Sequence, residues 1–192
     1  CIEDIGILRS IPGITIISPA DSFETIKALE ASVKSKHSTY IRLTGSSNNP
    51  IVYKEDYKFE IGKAIKILNG TDLTIFCAGA VVYNCLQAAE DLKEKGVSCT
   101  VVNMHTIKPI DKNAIDEACK NSKLLVSVEE HNVIGGLGSA ISEHLVTIKK
   151  KPTLLTIGIN DLYSKGGSYN FLKEKHGLST NKIVSNIIKN LK

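Results

Sequence analysis

Arg42, in the string YIRLTG, is one of only two arginines in a chain of 192 residues. It falls where an extended apolar run gives way to small polar residues. Its planar guanidinium suits a carboxylate or a phosphate, so Arg42 is a candidate substrate-binding residue; a structural ion pair is the plainer use of the same fork. The string VEEHN puts Glu129, Glu130 and His131 at the C-terminal end of a buried strand, where open α/β sheets place their ligands. An imidazole titrates near neutrality and could carry a proton. No serine or cysteine nucleophile is tied to His131 by a recognisable motif, however, and a hydrogen-bonded loop or interface histidine accounts for it more simply. NMHTIKPID sets His105 and Lys108 at another strand end, just before Pro109, and shows nothing further.

HNVIGGLGSAI follows a buried strand and opens a helix, so its backbone N–H groups could face a phosphate. Gly136 and Gly138 give G-x-G, but Ile141 stands where the third glycine of a dinucleotide fingerprint belongs, and no P-loop Lys-Ser/Thr pair follows. A tight turn and close helix-to-sheet packing explain these glycines without a ligand. His144 and His176 form no H-E-x-x-H or comparable set, and no metal ligands are expected. The cysteines, Cys1, Cys77, Cys85, Cys99 and Cys119, lack C-x-x-C or zinc spacing and read as small hydrophobes in a reducing compartment.

The elements that must position these groups follow from composition and periodicity. With 42% hydrophobic and 23% charged residues, the chain should be globular. No run reaches the roughly 18–20 apolar residues of a membrane span, and a soluble, cytoplasmic protein with no membrane contact is expected. The net charge of +4 is carried almost wholly by lysines, which fall on the polar sides of helices. Arginines and aromatics are not interleaved with them, which argues against a nucleic-acid partner.

Residues 1–45 read as helix, strand, helix, strand. Pro12-Gly13 ends the first helix; Asp21 or Ser22 caps the second, whose packing side is assigned to Phe23, Ile26, Ala28, Leu29 and Val33. Residues 46–57 are rich in Ser, Asn and Pro without apolar periodicity, and read as a linker. From residue 58 to 192 near-continuous apolar strands alternate with amphipathic helices: EIGKAIKIL at an edge, then DLTIFCAG, SCTVVNM, KLLVSVE and TLLTIGI. The fold class is therefore α/β: an open, mostly parallel sheet with helices on both faces, preceded by the incomplete end of a second α/β domain. Two helices and two strands cannot cover both sides of a parallel sheet, so the first unit should leave apolar surface bare. The expectation is that residue 1 falls inside a domain whose earlier strands lie elsewhere.

In order, IEDIGILRSIPGITIISPADSFET, YIRL, FCAGAVVYNCLQAAEDL, VVNMHTIKPID and VSVEEHNVIGGLGSAISEHL resemble the C-terminal section of the transketolase family. That family includes deoxyxylulose-phosphate synthase and the β-subunits of 2-oxoacid dehydrogenases. The resemblance implies an enzyme using thiamine diphosphate with a divalent metal, and a two-carbon ketol transfer between sugars. It identifies residues 1–45 with the tail of a pyrimidine-binding domain and 58–192 with a C-terminal domain that serves mainly in assembly and dimerisation. It implies as partners the diphosphate- and pyrimidine-binding domains or subunit, a homodimeric parent and a sugar substrate. No cofactor is expected on this chain alone, which should be catalytically silent, because the family's catalytic and cofactor residues match no position here. Where the family often has a second arginine three places after the first to grip a substrate phosphate, this sequence has Gly45. That departure implies a substrate without a terminal phosphate, or a grip supplied from elsewhere.

Overall fold

Two sheets of unequal size carry the molecule, and one short strand ties them together. The computed structural model describes residues 1–44 and 49–191. Before the stretch 46–57, expected to be a linker, come helix α1 (Asp4–Arg9), strand β1 (Thr15–Ile17), helix α2 (Ser22–Lys34) and strand β2 (Thr39–Ile41). After it come β3 (Ile65–Leu68), β4 (Leu73–Ala78), α3 (Val81–Glu94), β5 (Cys99–Asn103), β6 (Thr106–Lys108) and α4 (Lys112–Asn121). The chain closes with β7 (Leu124–Asn132), α5 (Leu137–Leu145), β8 (Thr153–Ile159), α6 (Tyr169–Lys175) and α7 (Thr180–Asn190).

The larger sheet has the order β3-β5-β4-β7-β8, parallel throughout except for the antiparallel edge strand β3. Every residue of β4 is buried, as a central strand covered on both faces requires. Its alternate side chains feed two cores. Leu73, Ile75 and Cys77 pack with Val82, Cys85 and Leu92 of α3 and Ile183, Val184 and Ile187 of α7. Phe76 and Ala78 pack with Ile115 of α4, Leu137 and Ile141 of α5, and also with Ile5 of α1 and Ile16 of β1. The second core therefore draws on both sides of the expected linker.

The smaller sheet has the order β2-β1-β6. β1 pairs parallel with β2 and antiparallel with β6, whose residues lie beyond the expected linker. The sequence suggests only one strand end around His105; instead the backbone turns after Asn103 and Thr106–Lys108 joins the other sheet. The expected strand EIGKAIKIL is likewise shortened to its last four residues, because the chain turns at Ile61–Gly62, where the Gly62 N–H bonds Thr106 Oγ1 at 3.1 Å.

Asp21 caps α2 by accepting from the Glu24 N–H at 2.8 Å, and its second oxygen accepts from the Val52 and Tyr53 N–H groups at 2.7 and 3.1 Å. Residues 52 and 53, within the stretch read as a linker, are thus fastened to the helix before it. The packing side assigned to α2 needs correction. Its buried residues are Glu24 and Ala28, while Ile26, Leu29 and Val33 are 57%, 52% and 87% exposed. The helix is turned so that the Glu24 carboxylate reaches donors on three other segments: the Ala20 N–H at 2.6 Å, Asn103 Nδ2 at 3.0 Å and the Tyr57 hydroxyl at 2.8 Å. A buried carboxylate left without donors costs more than an exposed apolar stripe. None of the helices among the described residues is long and apolar enough to cross a membrane.

Candidate functional site

Arg42, Glu129 and His131 collect along the seam between the two sheets. Arg42 follows β2, whose register against β1 aims it across α1. Its Nε donates to Asp4 at 2.9 Å and its Nη2 donates to the Cys1 carbonyl at 3.0 Å. Tyr40 also donates to Asp4, at 2.8 Å. Burial alone would raise the pKa of Asp4, but the Tyr40 bond and the Arg42 charge overcome it and hold the carboxyl below its ordinary value. The ion pair weighed for Arg42 is therefore present, and one edge of the same side chain also borders an open cleft.

His131 is fully buried. Its Nδ1 donates to the Asn132 carbonyl at 2.6 Å and its Nε2 accepts from the Gly6 N–H at 3.3 Å. That assigns a neutral tautomer, in keeping with a pKa pushed down chiefly by burial. Both ring nitrogens are engaged, Nε2 in tying α1 to β7 and Nδ1 in fixing the ring on its own strand, which makes His131 a hydrogen-bonded interface histidine.

The glycine-rich turn has an anion of its own. The Glu129 carboxylate accepts from the Leu137 and Gly138 N–H groups at 2.6 and 2.9 Å, occupying the N-terminus of α5. A Cβ on Gly136 would lie 1.8 Å from Glu129 Oε2, so glycine is what lets the carboxylate in. Burial pushes the Glu129 carboxyl up to about 7, against those two hydrogen bonds and the Arg9 and Arg42 charges. Gly135 adopts φ +80, and a Cβ there would meet Gly6 Cα at 2.9 Å, so this turn also seats α1. A nucleotide phosphate at GGLG would have to displace an intramolecular carboxylate.

His105 and Lys108 stay apart from any open site. His105 is buried, stacked on Phe59 with ring centroids 4.1 Å apart, and burial lowers its pKa to about 4. Lys108 donates to the Arg9 and Ile11 carbonyls at 2.8 and 2.6 Å, closing the C-terminal end of α1. His144 pairs with Asp116 at 2.8 Å, linking α5 to α4. Among the described residues no group of three or more His, Cys, Asp or Glu is placed to hold a metal ion.

An open cleft of about 550 Å³ lies where the C-terminal ends of β7 and β8 face Arg42. Glu130 at the end of β7 accepts from the Tyr169 hydroxyl at 2.9 Å. Lys173 lies over the Tyr169 ring, 4.6 Å from its centroid. His176 pairs with Ser164 Oγ at 2.8 Å. The floor is apolar, formed by Ile159, Leu172 and Leu178. Sequence reasoning found Arg42 and Glu130 and a short helical piece near Tyr169 to Lys175, the span that α6 occupies, but did not connect that helix with the site; the signal was Tyr169, Lys173 and His176 at i, i+4 and i+7, which places all three on one helix face.

Known proteins with the same construction identify the fold. Residues 62–183 match the family described as transketolase, C-terminal domain. An apulose-4-phosphate transketolase subunit from Phocaeicola vulgatus is 40% identical over 162 residues, covering 83% of this chain and 51% of its own. A 6-deoxy-6-sulfo-D-fructose transketolase subunit from a Clostridium species is 37% identical over 184 residues, covering 95% of this chain and 56% of its own. A solved structure described as a split gene transketolase, inactive beta4 tetramer, superposes with a TM-score of 0.91 at 34% identity, over 100% of this chain and 61% of that one. The chain thus spans a little over half the length of these relatives. It belongs to the transketolase family, of which it is a C-terminal section.

Proposed function

We propose that this chain is the C-terminal section of a thiamine-diphosphate-dependent, transketolase-like transferase that moves a two-carbon ketol unit between sugars. Residues 1–45 form the tail of its pyrimidine-binding domain, 46–57 a linker and 58–192 the C-terminal domain, which serves chiefly in assembly and dimerisation. The observation that carries this reading is the bare stripe of Ile26, Leu29 and Val33 on α2. An apolar helix face at the edge of a three-stranded sheet is surface built to be covered. The covering element is the N-terminal portion, as domain or as companion subunit; the relatives named as transketolase subunits support that division of labour.

Thiamine diphosphate needs a metal-bound diphosphate site, and the described residues do not fit one. They offer no ligand cluster, and the helix N-terminus best suited to a phosphate is filled by Glu129. The cofactor and its divalent metal are therefore assigned to the N-terminal portion, and no reaction step is assigned to residues of this chain. Arg42 remains the candidate substrate contact through the edge it shows to the cleft. Gly45, where the family often has a second arginine, lies outside the described residues. The two relatives carry a phosphate and a sulfonate in their substrate names, so membership of the family does not decide which end group is accepted here.

Mixing the chain with a companion that carries the diphosphate-binding domain, thiamine diphosphate and Mg²⁺ should give ketol transfer that neither partner shows alone. Turnover by this chain alone, or none from the pair, would overturn the proposal. Formation of deoxyxylulose phosphate from pyruvate and glyceraldehyde 3-phosphate, or oxidation of a 2-oxo acid, would instead indicate a synthase or a dehydrogenase β-subunit. Faster turnover of dephosphorylated than phosphorylated ketoses would fit the loss of a phosphate-gripping arginine.

A further inference from the structure

We propose that the cleft between Arg42 and α6 is a subsite for the uncharged, hydroxylated part of a sugar, with Glu130 and Lys173 as its specificity-determining residues. This rests on the ketol-transfer reading and names the part of the substrate that this chain itself would hold. The site sits where the parallel strands β7 and β8 end, the position at which open α/β sheets take ligands. Its volume of about 550 Å³ is in the range of small-molecule pockets.

The donor and acceptor set selects the ligand class. Glu130 offers only acceptors when ionised, whereas Lys173 and Arg42 offer only donors. The Glu130 carboxyl lies within reach of both cations, whose charges oppose the rise that burial imposes on it. A hydroxyl group donates and accepts at once, so a run of hydroxyls can satisfy both kinds of wall. A phosphate near neutral pH is anionic and mostly acceptor; it would face the Glu130 carboxylate and compete with Asp4 for Arg42. A purely apolar ligand would strip water from charged groups and return no hydrogen bonds. The C–H faces of a sugar chain have a counterpart in the apolar floor at Leu172 and Leu178. Because Tyr169 bonds Glu130 and supports Lys173 from below, both side chains are held in place before any ligand arrives, which lowers the ordering cost of binding.

The test is nuclear magnetic resonance titration of the isotope-labelled full chain with ribitol and, separately, with inorganic phosphate at matched ionic strength. Ribitol should shift the amide signals of Glu130, Tyr169 and Lys173 with saturation, and Glu130→Gln and Lys173→Ala should each weaken it about tenfold, equal to about 1.4 kcal/mol. Phosphate should leave those signals in place. Lys173 is partly exposed, so Lys173→Ala keeps the test valid should the Glu130 variant fail to fold. Shifts with phosphate but not ribitol, or with neither, would overturn the subsite. In the reconstituted pair, Lys173→Ala should raise KM for the ketose about tenfold with kcat unchanged. Ribitol binding without any ketol transfer would leave the subsite standing and remove the reading it rests on. Ketol transfer with an unchanged KM in Lys173→Ala would do the reverse.

Discussion

Helices α7 and α2 carry similar apolar stripes, and the fold treats them oppositely. Ile183, Val184 and Ile187 of α7 are buried against α3 and β4. Ile26, Leu29 and Val33 of α2 stand in water, and that helix is held instead by the buried carboxylates of Asp21 and Glu24. One flank of the molecule is stabilised by non-directional burial, the other by a few directed hydrogen bonds among ionisable groups. A stripe at helical spacing shows that a helix has an apolar side; it does not show that anything in the same chain covers it.

The contrast can be broken first where it is strongest. Ile187→Ala should cost about 2–5 kcal/mol in urea unfolding, the range for a truncated core aliphatic residue; a cost near zero would mean α7 is no more needed than the α2 stripe.

The second test uses pH, to which the buried titratable groups of the seam should respond. Burial depresses the His105 pKa from its ordinary value to about 4. Its neutral form therefore stabilises the fold above about pH 6.5, and that contribution is lost as pH falls through 6.5 toward 4. His105→Phe should remove that loss, which amounts to at most about 3 kcal/mol at pH 4. Glu129 works in the opposite sense over an overlapping window, because its raised pKa gives stability below the ordinary carboxyl range that is lost as pH rises to about 7. The measurement is thus the difference between the parent chain and the His105 variant at each pH. A constant difference would show that His105 does not titrate as its burial demands.

Glu24→Ala comes next, since it leaves the Ala20 N–H without its acceptor and the Asn103 amide with the Tyr53 hydroxyl alone. A loss of about 1–3 kcal/mol is expected, with the Tyr53 and Tyr57 fluorescence changing as residues 52–57 come away from α2. Unchanged stability would mean that α2 is not held by its polar side. The smallest effect on the chain itself is expected for Val33→Ser on the bare stripe, within about 0.5 kcal/mol. The same change should weaken association with the N-terminal companion in sedimentation, and equal association would remove the stripe as the covered face.

Much of the architecture was legible locally. Asp21 as a cap, the run LTIFCA as a strand buried on both faces and the order of most elements follow from side chains within a few positions of one another. The family resemblance was legible too, through the order of short strings. Three features were not. β6 leaves the large sheet for the small one, a choice made by the partner strand β1 more than 80 positions earlier. The anion at GGLG is Glu129, which looked like a ligand-facing strand end until its carboxylate was seen closing onto α5. The cleft joins Arg42 to α6, two segments that share no periodicity.

Taken alone, the order of amino acids settled most of the succession of helices and strands and the apolar side of each helix, because these are set by backbone sterics and by neighbours a turn or a pleat away. Which stripe is covered, which carboxylate meets which N–H, and which charges border one cleft were decided by the tertiary structure. Those outcomes depend on distances across the fold, and burial or pairing free energy exists only once both partners have been brought together.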